Sequence, residues 1–220
     1  ETKLPDIIED VRDALLWVLT NGETVAAVDP TRMGVVGHSA GGYLSLMTGT
    51  FDTPPNAIVP FYGYGDLIGD WYAKPDEFYR TTQPLVTKED AFAAVTGPPV
   101  TNSDERPGPT KFYLYCRQQG IWPQHIGGWD PSTDAESFHP YCPERNVTEH
   151  YPPTLMLHGD KDTDVPYELS VRMASALKDQ GITHDLITID GGGHGFDGRQ
   201  DDPQVLAAWP RVIAFLKEHV

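Results

Sequence analysis

The sequence is short of basic residues and has no long apolar run. Its 220 residues include 16 lysines and arginines against 32 aspartates and glutamates, a formal net charge of −16. Nucleic acids and anionic membrane surfaces repel such a chain, so neither is expected as a partner. No apolar run approaches the roughly 18 residues of a membrane span, and no signal-peptide pattern opens the sequence. We expect no membrane span, and localisation and oligomeric state stay open.

Cysteine is also scarce, because Cys116 and Cys142 are the only two. They allow one disulfide in an oxidising compartment or two buried thiols in a reducing one. A glycosylation sequon at residues 146–148 is a pattern that often occurs by chance. The chain has enough apolar material for a core, since 39% of its residues are hydrophobic. Length and composition therefore predict one domain with an insertion.

The most informative motif is a G-x-S-x-G box between an apolar run at residues 33–36 and a helix-like stretch at residues 43–47. It reads Gly37-His38-Ser39-Ala40-Gly41-Gly42. A sharp strand-to-helix turn strains its corner residue and needs small neighbours two positions away, which Gly37 and Gly41 supply. Such a turn exposes the Ser39 hydroxyl and aims the Ala40 N–H at a developing oxyanion. Ser39 is a candidate nucleophile, although glycine-rich turns also serve as plain packing devices.

A serine nucleophile needs a histidine base and a carboxylate that orients it. Candidate carboxylates follow a strand signal at residues 152–157, in a loop that contains Asp160, Asp162 and Asp164. Open α/β sheets bind ligands in the crevice at the carboxyl ends of their strands, so this loop is suitably placed. The residues alone do not rank the three aspartates, and any two of them could serve as turn or capping residues.

The candidate base is His194, which follows a strand signal at residues 184–189. Glycines flank it at residues 191–193 and 195, and a histidine in such a loop has little packing purpose. An ordinary exposed loop histidine is the alternative. The chain order of serine, acid and histidine is that of α/β hydrolases. Three separate loops therefore predict one site.

These motifs resemble the α/β-hydrolase superfamily, in the region shared by carboxylesterases of the hormone-sensitive-lipase type and prolyl-oligopeptidase-like catalytic domains. In that family the acid stands in H-G-x-x-D-x-x-V, which residues 158–165 match. The match selects Asp162 and leaves Asp164 as an alternative, because a shift of two keeps a strand side chain on the same face. The resemblance covers residues 1–67 and 151–220. It implies an α/β fold, with a mainly parallel sheet and helices on both faces.

The resemblance also implies a reaction, the hydrolysis of carboxylic esters through an acyl-enzyme. In it, Ser39 attacks the carbonyl, His194 takes and returns the proton, and Asp162 orients His194. The expected partner is a small-molecule ester, including feruloyl and acetyl esters linked to carbohydrate, and no cofactor is expected. Two alternatives remain open: a prolyl-oligopeptidase-like serine peptidase, and a noncatalytic binding protein that keeps the hydrolase shell.

The start of the chain departs from the family pattern. Residues 6–19 have apolar spacings of three and four and predict a helix that ends at Asn21-Gly22, like the helix before the nucleophile strand. Family members place several strands and a His-Gly-Gly-Gly-type oxyanion loop before it. We therefore expect the N-terminal strands of the sheet to be missing here and to be supplied by an absent segment or a second chain; an unusually reduced domain is the alternative. With Ala40 as the only oxyanion donor, activity would fall about 10²–10³-fold and the chain alone would be poorly active or unstable.

The middle of the chain, residues 68–150, is rich in proline, glycine and aromatic residues and has no sustained period of 2 or 3.6. So many rings cannot stay in water without creating a large apolar patch. We therefore predict a loop-rich cap insertion with a small core of its own, which lends a few rings to the substrate pocket. A helix is expected within it over residues 111–119. Residues 1–67 and 151–220 then form the hydrolase core.

The C-terminal part alternates strands and helices, which favours a parallel sheet with right-handed crossovers. A helix is predicted over residues 167–180, ended by Gly181. A last helix begins at Pro203, and Pro210 inside it predicts a kink or a restart.

Two metal-like patterns are rejected. Residues 192–197 fit one calcium-binding nonapeptide unit, but such units work only in tandem copies. The loop at residues 160–171 begins like an EF-hand but lacks the glycine and glutamate that an EF-hand needs at positions 6 and 12. No metal is expected. Three further histidines lack ligand-like spacing and are interpreted as structural: His38, His158, which could shape the acid loop, and His184.

Overall fold

The computed structural model describes residues 2–98, 102, 105, 108 and 110–220. The chain forms two compact units, residues 1–66 together with 139–220, and residues 67–138. The helices and strands, in chain order, are α1 Leu4–Ala26, β1 Gly34–His38, α2 Ala40–Thr48, β2 Ala57–Phe61, α3 Asp70–Ala73, α4 Glu77–Thr82, α5 Lys88–Ala93, α6 Lys111–Gln119, α7 Trp122–Gly127, α8 Ala135–Phe138, β3 Thr154–Gly159, α9 Glu168–Asp179, β4 His184–Ile189 and α10 Pro203–His219.

The first unit is built on a sheet whose strands are hydrogen-bonded in chain order, β1-β2-β3-β4, among the described residues. Every pairing is parallel, which confirms the predicted mainly parallel sheet. The carboxyl ends of parallel strands lie along one edge. The loops that follow β1, β3 and β4, each of which holds a candidate site residue, therefore meet at that edge.

Strand β2 is fully buried, yet the sequence patterns above do not predict it. It is a short apolar run without alternation, and it contains Pro60, which cannot donate to a ladder and argues against a central strand. Pro60 nevertheless lies in register with Gly37 of β1. Just past the strand, the N–H of Tyr62 donates to the carbonyl of Leu157 at 2.7 Å. Proline is tolerated in this strand because β1 and β3 pair with the other backbone groups of β2.

Apolar clusters cover both faces of the sheet, because successive strand residues point to opposite faces. One cluster joins strand residues such as Val59, Leu155 and Ile187 to α10. The other joins Ile58 and Met156 to α2 and α9. Helices on both faces, as the resemblance implies, are therefore confirmed.

Helix α1 runs through the point where the sequence predicts its end. It extends to Ala26, and the left-handed Ala27, with φ of 54°, closes it. Gly22 does not stop the helix but lets the chain fold back onto it, since a Cβ there would lie 2.9 Å from Cγ2 of Val28. The predicted stop at Asn21-Gly22 is therefore wrong, because the glycine serves a close approach rather than a cap.

The two C-terminal helices fall where the sequence predicts them. Helix α9 spans Glu168–Asp179, and Gly181 follows with a φ of 70°. Helix α10 begins after Asp202, whose side chain accepts from the N–H of Gln204. It continues through Pro210 to His219, so the predicted restart does not occur.

Strand β1 stands at one end of the strand order, paired with β2 alone among the described residues. Its Val36 is 45% exposed, and Leu16 and Trp17 of α1 are 46% and 54% exposed. The expectation that further strands precede β1 stays a prediction.

The second unit, residues 67–138, is made of the short helices α3 to α8. Helix α6 spans Lys111–Gln119, as predicted. The core forms around Arg117, which is 1% exposed and whose Nη2 lies 2.7 Å from Oδ2 of Asp76. Its guanidinium lies 4.8 to 5.7 Å from the centres of four rings, those of Trp71, Tyr72, Tyr79 and Tyr113. That this unit acts as a cap stays a prediction.

Residues 139–150, assigned above to the insertion, group with the first unit instead. The carbonyl of Tyr141 accepts from the hydroxyl of Tyr43 at 3.0 Å, and Oε2 of Glu144 lies 3.3 Å from Nε of Arg172. Asn146 of the sequon donates through Nδ2 to two backbone carbonyls, at 2.7 and 2.8 Å. The amide that a glycan would occupy therefore already closes a turn.

Cys116 and Cys142 are both buried, as thiols rather than as a disulfide. Burial raises the pKa of the Cys116 thiol to about 12. Among the described residues, no helix combines the length and apolarity that a membrane crossing requires.

Candidate active site

Ser39 stands at the corner between β1 and α2, as the G-x-S-x-G box predicts. Its φ of 54° and ψ of −117° lie outside the regions that L-residues usually adopt. Two backbone bonds hold the corner: the N–H of Ser39 donates to the carbonyl of Phe61 at 3.0 Å, and the carbonyl of Ser39 accepts from the N–H of Tyr43 at 3.0 Å. The strain is therefore stored at the residue whose hydroxyl must project from the sheet.

Of the two glycines that the motif predicts to be needed for space, Gly37 and Gly41, the structure crowds only Gly37. A Cβ at Gly37 would lie 2.1 Å from the carbonyl oxygen of Gly41, so only glycine fits there. A Cβ at Gly41 would meet nothing within 4 Å among the described residues, whereas one at Gly42 would lie 2.8 Å from Cα of Gly63. The predicted need for a small residue at Gly37 is confirmed. Within the described residues, the second crowded position is Gly42 rather than Gly41.

His194 lies in the glycine-rich loop between β4 and α10, and its side chain is 25% exposed. The acid loop holds this segment in place. The N–H of Lys161 donates to the carbonyl of Gly192 at 2.9 Å, and Oδ1 of Asp160 accepts from the N–H of Gly191 at 2.6 Å. A Cβ at Gly159 would lie 2.2 Å from the oxygen of Gly192, so the two loops touch backbone to backbone. Asp160 thus holds the backbone of the histidine loop.

Asp162 is the carboxylate that bonds His194. Its side chain is fully buried, and Oδ2 lies 2.8 Å from Nδ1 of His194. Its Oδ1 accepts from the N–H groups of Asp164 and Val165 at 2.8 and 2.9 Å. Burial by itself would raise the pKa of Asp162, but the bonds from His158, His194 and the Val165 N–H outweigh it and hold that pKa well below its usual value. Asp162 is therefore ionised at neutral pH.

His158 is buried beneath the acid loop and helps to shape it. Its Nε2 lies 3.0 Å from the carbonyl of Val165 and 3.3 Å from Oδ2 of Asp162, while Nδ1 lies 2.7 Å from Oγ of Ser170. A carbonyl only accepts, so Nε2 carries the proton and donates to both oxygens. His158 thereby supports the charge of Asp162, in keeping with its predicted structural role.

The bonds continue from His194 to Ser39, because Nε2 of His194 lies 2.9 Å from Oγ of Ser39. An ionised Asp162 needs a donor at Nδ1, so in the neutral imidazole Nε2 is the acceptor for the serine hydroxyl. The structure thus brings Ser39, His194 and Asp162 from three loops into one hydrogen-bonded chain. This geometry allows a proton to pass from Oγ to Nε2.

Asp164, the alternative acid, lies on the other side of the ring. Its Oδ2 is 3.6 Å from Nε2 of His194, and its side chain is 17% exposed. It therefore stands beside the nitrogen that faces Ser39, not beside the one that an orienting carboxylate contacts. Ala40, the candidate oxyanion residue, is exposed and begins α2, where the first N–H groups of a helix have no acceptor within the helix.

One side chain that packs against His194, Tyr62, is absent from the set that sequence reasoning selected. The ring of Tyr62 lies 4.6 Å from that of His194, centre to centre, and the Tyr62 hydroxyl donates to Oδ1 of Asp197 at 2.7 Å. Tyr62 follows β2, and because the sequence patterns do not predict that strand, they do not place Tyr62 at the site. His38, interpreted as structural, is 42% exposed, and its Nε2 lies 3.3 Å from Oδ2 of Asp197.

His184 is the last of the three histidines that the sequence analysis interprets as structural. Its Nδ1 lies 2.7 Å from the carbonyl oxygen of Ile182, a local contact that fits this interpretation.

Among the described residues, no three histidine, cysteine, aspartate or glutamate side chains lie together in a way that could hold a metal ion.

Comparisons with known proteins extend these findings. A family model described as the prolyl oligopeptidase family matches residues 93–220, and one described as BD-FAE matches residues 1–77. The non-reducing polyketide synthase pkbA of Emericella nidulans is 28% identical over 271 residues, which cover 97% of this chain and 11% of the synthase. The chain thus spans about a tenth of the length of that relative.

Two solved structures align with nearly the whole chain. One is a protein of unknown function from Staphylococcus aureus, with a TM-score of 0.76 and 21% identity over 100% of this chain and 74% of its own. The other is the thermophilic esterase Est2 from Thermogutta terrifontis, with a TM-score of 0.61 and 22% identity over 99% of this chain and 65% of its own. At this identity the likeness concerns the fold.

Together, the parallel sheet, the strained serine corner and the two family matches define the class: an α/β hydrolase. More than half of the chain matches one family model. The chain belongs to the prolyl oligopeptidase family.

Proposed function

We propose that the protein hydrolyses carboxylic esters of small molecules through an acyl-enzyme on Ser39. The observation that carries the proposal is the bonded chain of 2.9 Å from Ser39 Oγ to His194 Nε2 and 2.8 Å from His194 Nδ1 to Asp162. A serine hydroxyl is a weak nucleophile unless a base stands within hydrogen-bonding reach. Here the base is present, and an ionised carboxylate orients it.

The proposed reaction has two stages. His194 takes the proton of Ser39 as Oγ bonds to the ester carbonyl carbon, and Nε2 then returns that proton to the departing alcohol oxygen. In the second stage, water gives a proton to His194 and attacks the acyl carbon. The bond to Ser39 Oγ then breaks, Oγ takes the proton back from His194, and the acid is released. Asp162 stays ionised throughout and stabilises the imidazolium that forms between the steps. Its low pKa, supported by His158 and Val165, suits that role.

The oxyanion of the tetrahedral intermediate needs donors of its own. The Ala40 N–H is the proposed donor, because it lies at the amino end of α2, where backbone N–H groups and the helix dipole favour negative charge. Removing one such donor costs other serine hydrolases about 10²–10³-fold in kcat. Turnover on Ala40 alone would therefore be slow.

The test compares two substrate classes on the same preparation. p-Nitrophenyl acetate and butyrate are assayed beside proline-containing peptide amides, with Ser39→Ala as the matched control. We expect ester turnover that Ser39→Ala removes, with little or no amide cleavage. Ester turnover that persists in Ser39→Ala would contradict the assignment of the nucleophile.

A serine peptidase is the second candidate, favoured by the match to the prolyl oligopeptidase family. It uses the same three side chains, so geometry alone does not separate it from an esterase. Peptide amide cleavage that exceeds ester cleavage in kcat/KM would select it. A protein with neither activity, and without labelling of Ser39 by a fluorophosphonate, would instead be a noncatalytic member of the fold.

A further inference from the structure

Three side chains without a part in the proposed reaction form a bonded cluster beside it. The hydroxyl of Tyr62 donates to Oδ1 of Asp197 at 2.7 Å, and Nε2 of His38 lies 3.3 Å from Oδ2 of the same carboxylate. The Asp197 side chain is 22% exposed. We call Tyr62, Asp197 and His38 the Tyr62 clasp.

The clasp touches the imidazole of His194 directly. The rings of Tyr62 and His194 lie 4.6 Å apart at an angle of 59°. The ring of Phe196, which is 2% exposed, meets Tyr62 edge-on at 5.4 Å. Burial and the hydrogen bond to Asp197 raise the pKa of the Tyr62 phenol, so it stays a donor at neutral pH. The Tyr62 ring is thus fixed by packing on one side and by a carboxylate at its tip.

The backbone of Tyr62 is also unusual. Its φ is 38°, a left-handed conformation that a bulky residue rarely adopts. The N–H of Tyr62 donates to the carbonyl of Leu157, which holds the residue at the end of β2. A strained aromatic residue at this point places its ring over the edge of the sheet, where His194 stands. Such strain persists only where the surroundings fix it, and it clusters at functional sites.

His194 needs support of this kind, because its loop is rich in glycine. Gly191 and Gly195 have φ of 70° and 72°, and glycines leave a free loop many conformations to lose. Asp197 lies three residues after His194, in the single turn Phe196–Gly198. The clasp therefore ties the histidine loop both to the end of β2 and to His38, the direct neighbour of Ser39.

We infer that the Tyr62 clasp is a positioning device that fixes the imidazole of His194 against the hydroxyl of Ser39. The inference rests on the proposed function, in which that imidazole moves the proton. Tyr62 and Asp197 act through His194 and do not touch the reacting atoms. Their loss should lower kcat and leave KM nearly unchanged, because substrate binding does not depend on the angle of the imidazole.

The test uses Tyr62→Phe, Asp197→Ala, the double variant and Asp197→Asn, with p-nitrophenyl acetate as substrate. Tyr62→Phe keeps the ring and removes the hydroxyl, and we expect kcat to fall about 10-fold, since misplacing a catalytic group by 1 Å costs up to about 10²-fold. Asp197→Ala should lose at least as much, because it also breaks the contact with His38. The double variant should lose no more than Asp197→Ala, because the Tyr62 hydroxyl bond is already broken in Asp197→Ala. Asp197→Asn keeps an acceptor for the Tyr62 hydroxyl and should recover most of the loss.

Tyr151→Phe is the matched control, because Tyr151 is also buried and donates its hydroxyl to a backbone carbonyl, that of Leu46. It lies in the apolar cluster that joins Ile58 and Met156 to α2 and α9. We express kcat per Ser39 that a fluorophosphonate labels, so that unfolded protein is not counted. Tyr62→Phe with the kcat of Tyr151→Phe would overturn the inference, as would additive losses in the double variant.

A second readout does not depend on turnover. The proton on Nδ1 of His194, bonded to Asp162, should give a downfield proton NMR signal, assigned by its loss in His194→Ala. We expect Tyr62→Phe and Asp197→Ala to broaden or shift this signal, and Tyr151→Phe to leave it unchanged. An unchanged signal in both clasp variants would reject the clasp even if the protein hydrolyses no ester. Absent ester turnover with a perturbed signal would instead reject the proposed function alone.

Discussion

Each of the two units holds an ionised group in a buried setting, and each uses it differently. In the first unit, Asp162 is fully buried and bonds His194, which is 25% exposed and reaches a partly exposed Ser39. In the second, Arg117 is 1% exposed and is paired with Asp76 among four aromatic rings. An imidazole can gain and lose a proton at neutral pH, whereas a guanidinium cannot. A buried charge suggests chemistry only when it leads to a titratable group that solvent can reach.

The largest effects should come from the first unit. Ser39→Ala and His194→Ala should each lower kcat/KM for p-nitrophenyl acetate by about 10⁴-fold or more, because each removes a member of a unit that acts together. Circular dichroism should show that both variants remain folded. Substantial ester turnover in either variant would mean that Ser39 and His194 of the first unit do not carry the reaction.

The next effect separates the two neighbouring aspartates. Asp162→Asn should lower kcat about 10⁴-fold, because an amide favours the wrong tautomer of His194. Asp164→Asn removes a carboxylate 3.6 Å from Nε2 and should change kcat less than about 10-fold, since a partly exposed contact contributes little. Steady-state kinetics of both variants checks this. Equal losses would contradict the assignment of Asp162 as the orienting acid.

Stability should respond most strongly at Gly37. Gly37→Ala places a Cβ 2.1 Å from a backbone oxygen and should cost more than about 4 kcal/mol in the free energy of unfolding. Gly41→Ala meets open space and lies inside α2, where alanine gains about 0.5–1 kcal/mol over glycine. Urea denaturation of both variants measures the difference. A severe loss in Gly41→Ala would show that its surface is covered in solution.

In the second unit, a broken ion pair should cost stability and leave the chemistry intact. Asp76→Asn leaves the Arg117 charge buried without its carboxylate and should cost about 3 kcal/mol. Asp70→Asn breaks an exposed pair with Lys74 and should cost less than about 1 kcal/mol. Fluorophosphonate labelling of Ser39 should proceed at the wild-type rate in both. Slower labelling of folded Asp76→Asn would place the second unit in the chemistry.

The last prediction concerns the acid side of the stability profile. The folded-state pKa of Asp162 lies below that of an unfolded aspartate, about 3.9. Its contribution to stability is therefore present above about pH 4 and is lost as the pH falls towards the folded value. The free energy of unfolding of Asp162→Asn should vary less with pH below about 4 than that of the wild type. Parallel profiles would show that Asp162 is not stabilised as described.

The sequence is most informative where backbone geometry leaves one choice of residue. Only glycine fits at Gly37, and the motif therefore locates the corner at Ser39. Pro60 argues against a strand at β2, so the sequence predicts neither this strand nor the role of Tyr62, the residue that follows it. The position of Asp164 relative to the ring of His194 depends on how two separate loops fold, and a local sequence pattern does not predict that.

Apart from α6, the second unit is not predicted by sequence patterns, for a different reason. Its helices are short, from four residues in α3 to nine in α6, so a period of 3.6 has little length in which to repeat. Its core depends on Arg117, a residue type that burial rules place at the surface. Only the rings that surround the guanidinium make that position favourable.

The account depends on an activated Ser39, and covalent labelling measures that activation directly. A fluorophosphonate should form one adduct, which intact mass and peptide mapping place on Ser39, and His194→Ala should abolish it. An adduct on another residue, no adduct in the folded wild type, or equal labelling of His194→Ala would contradict the account.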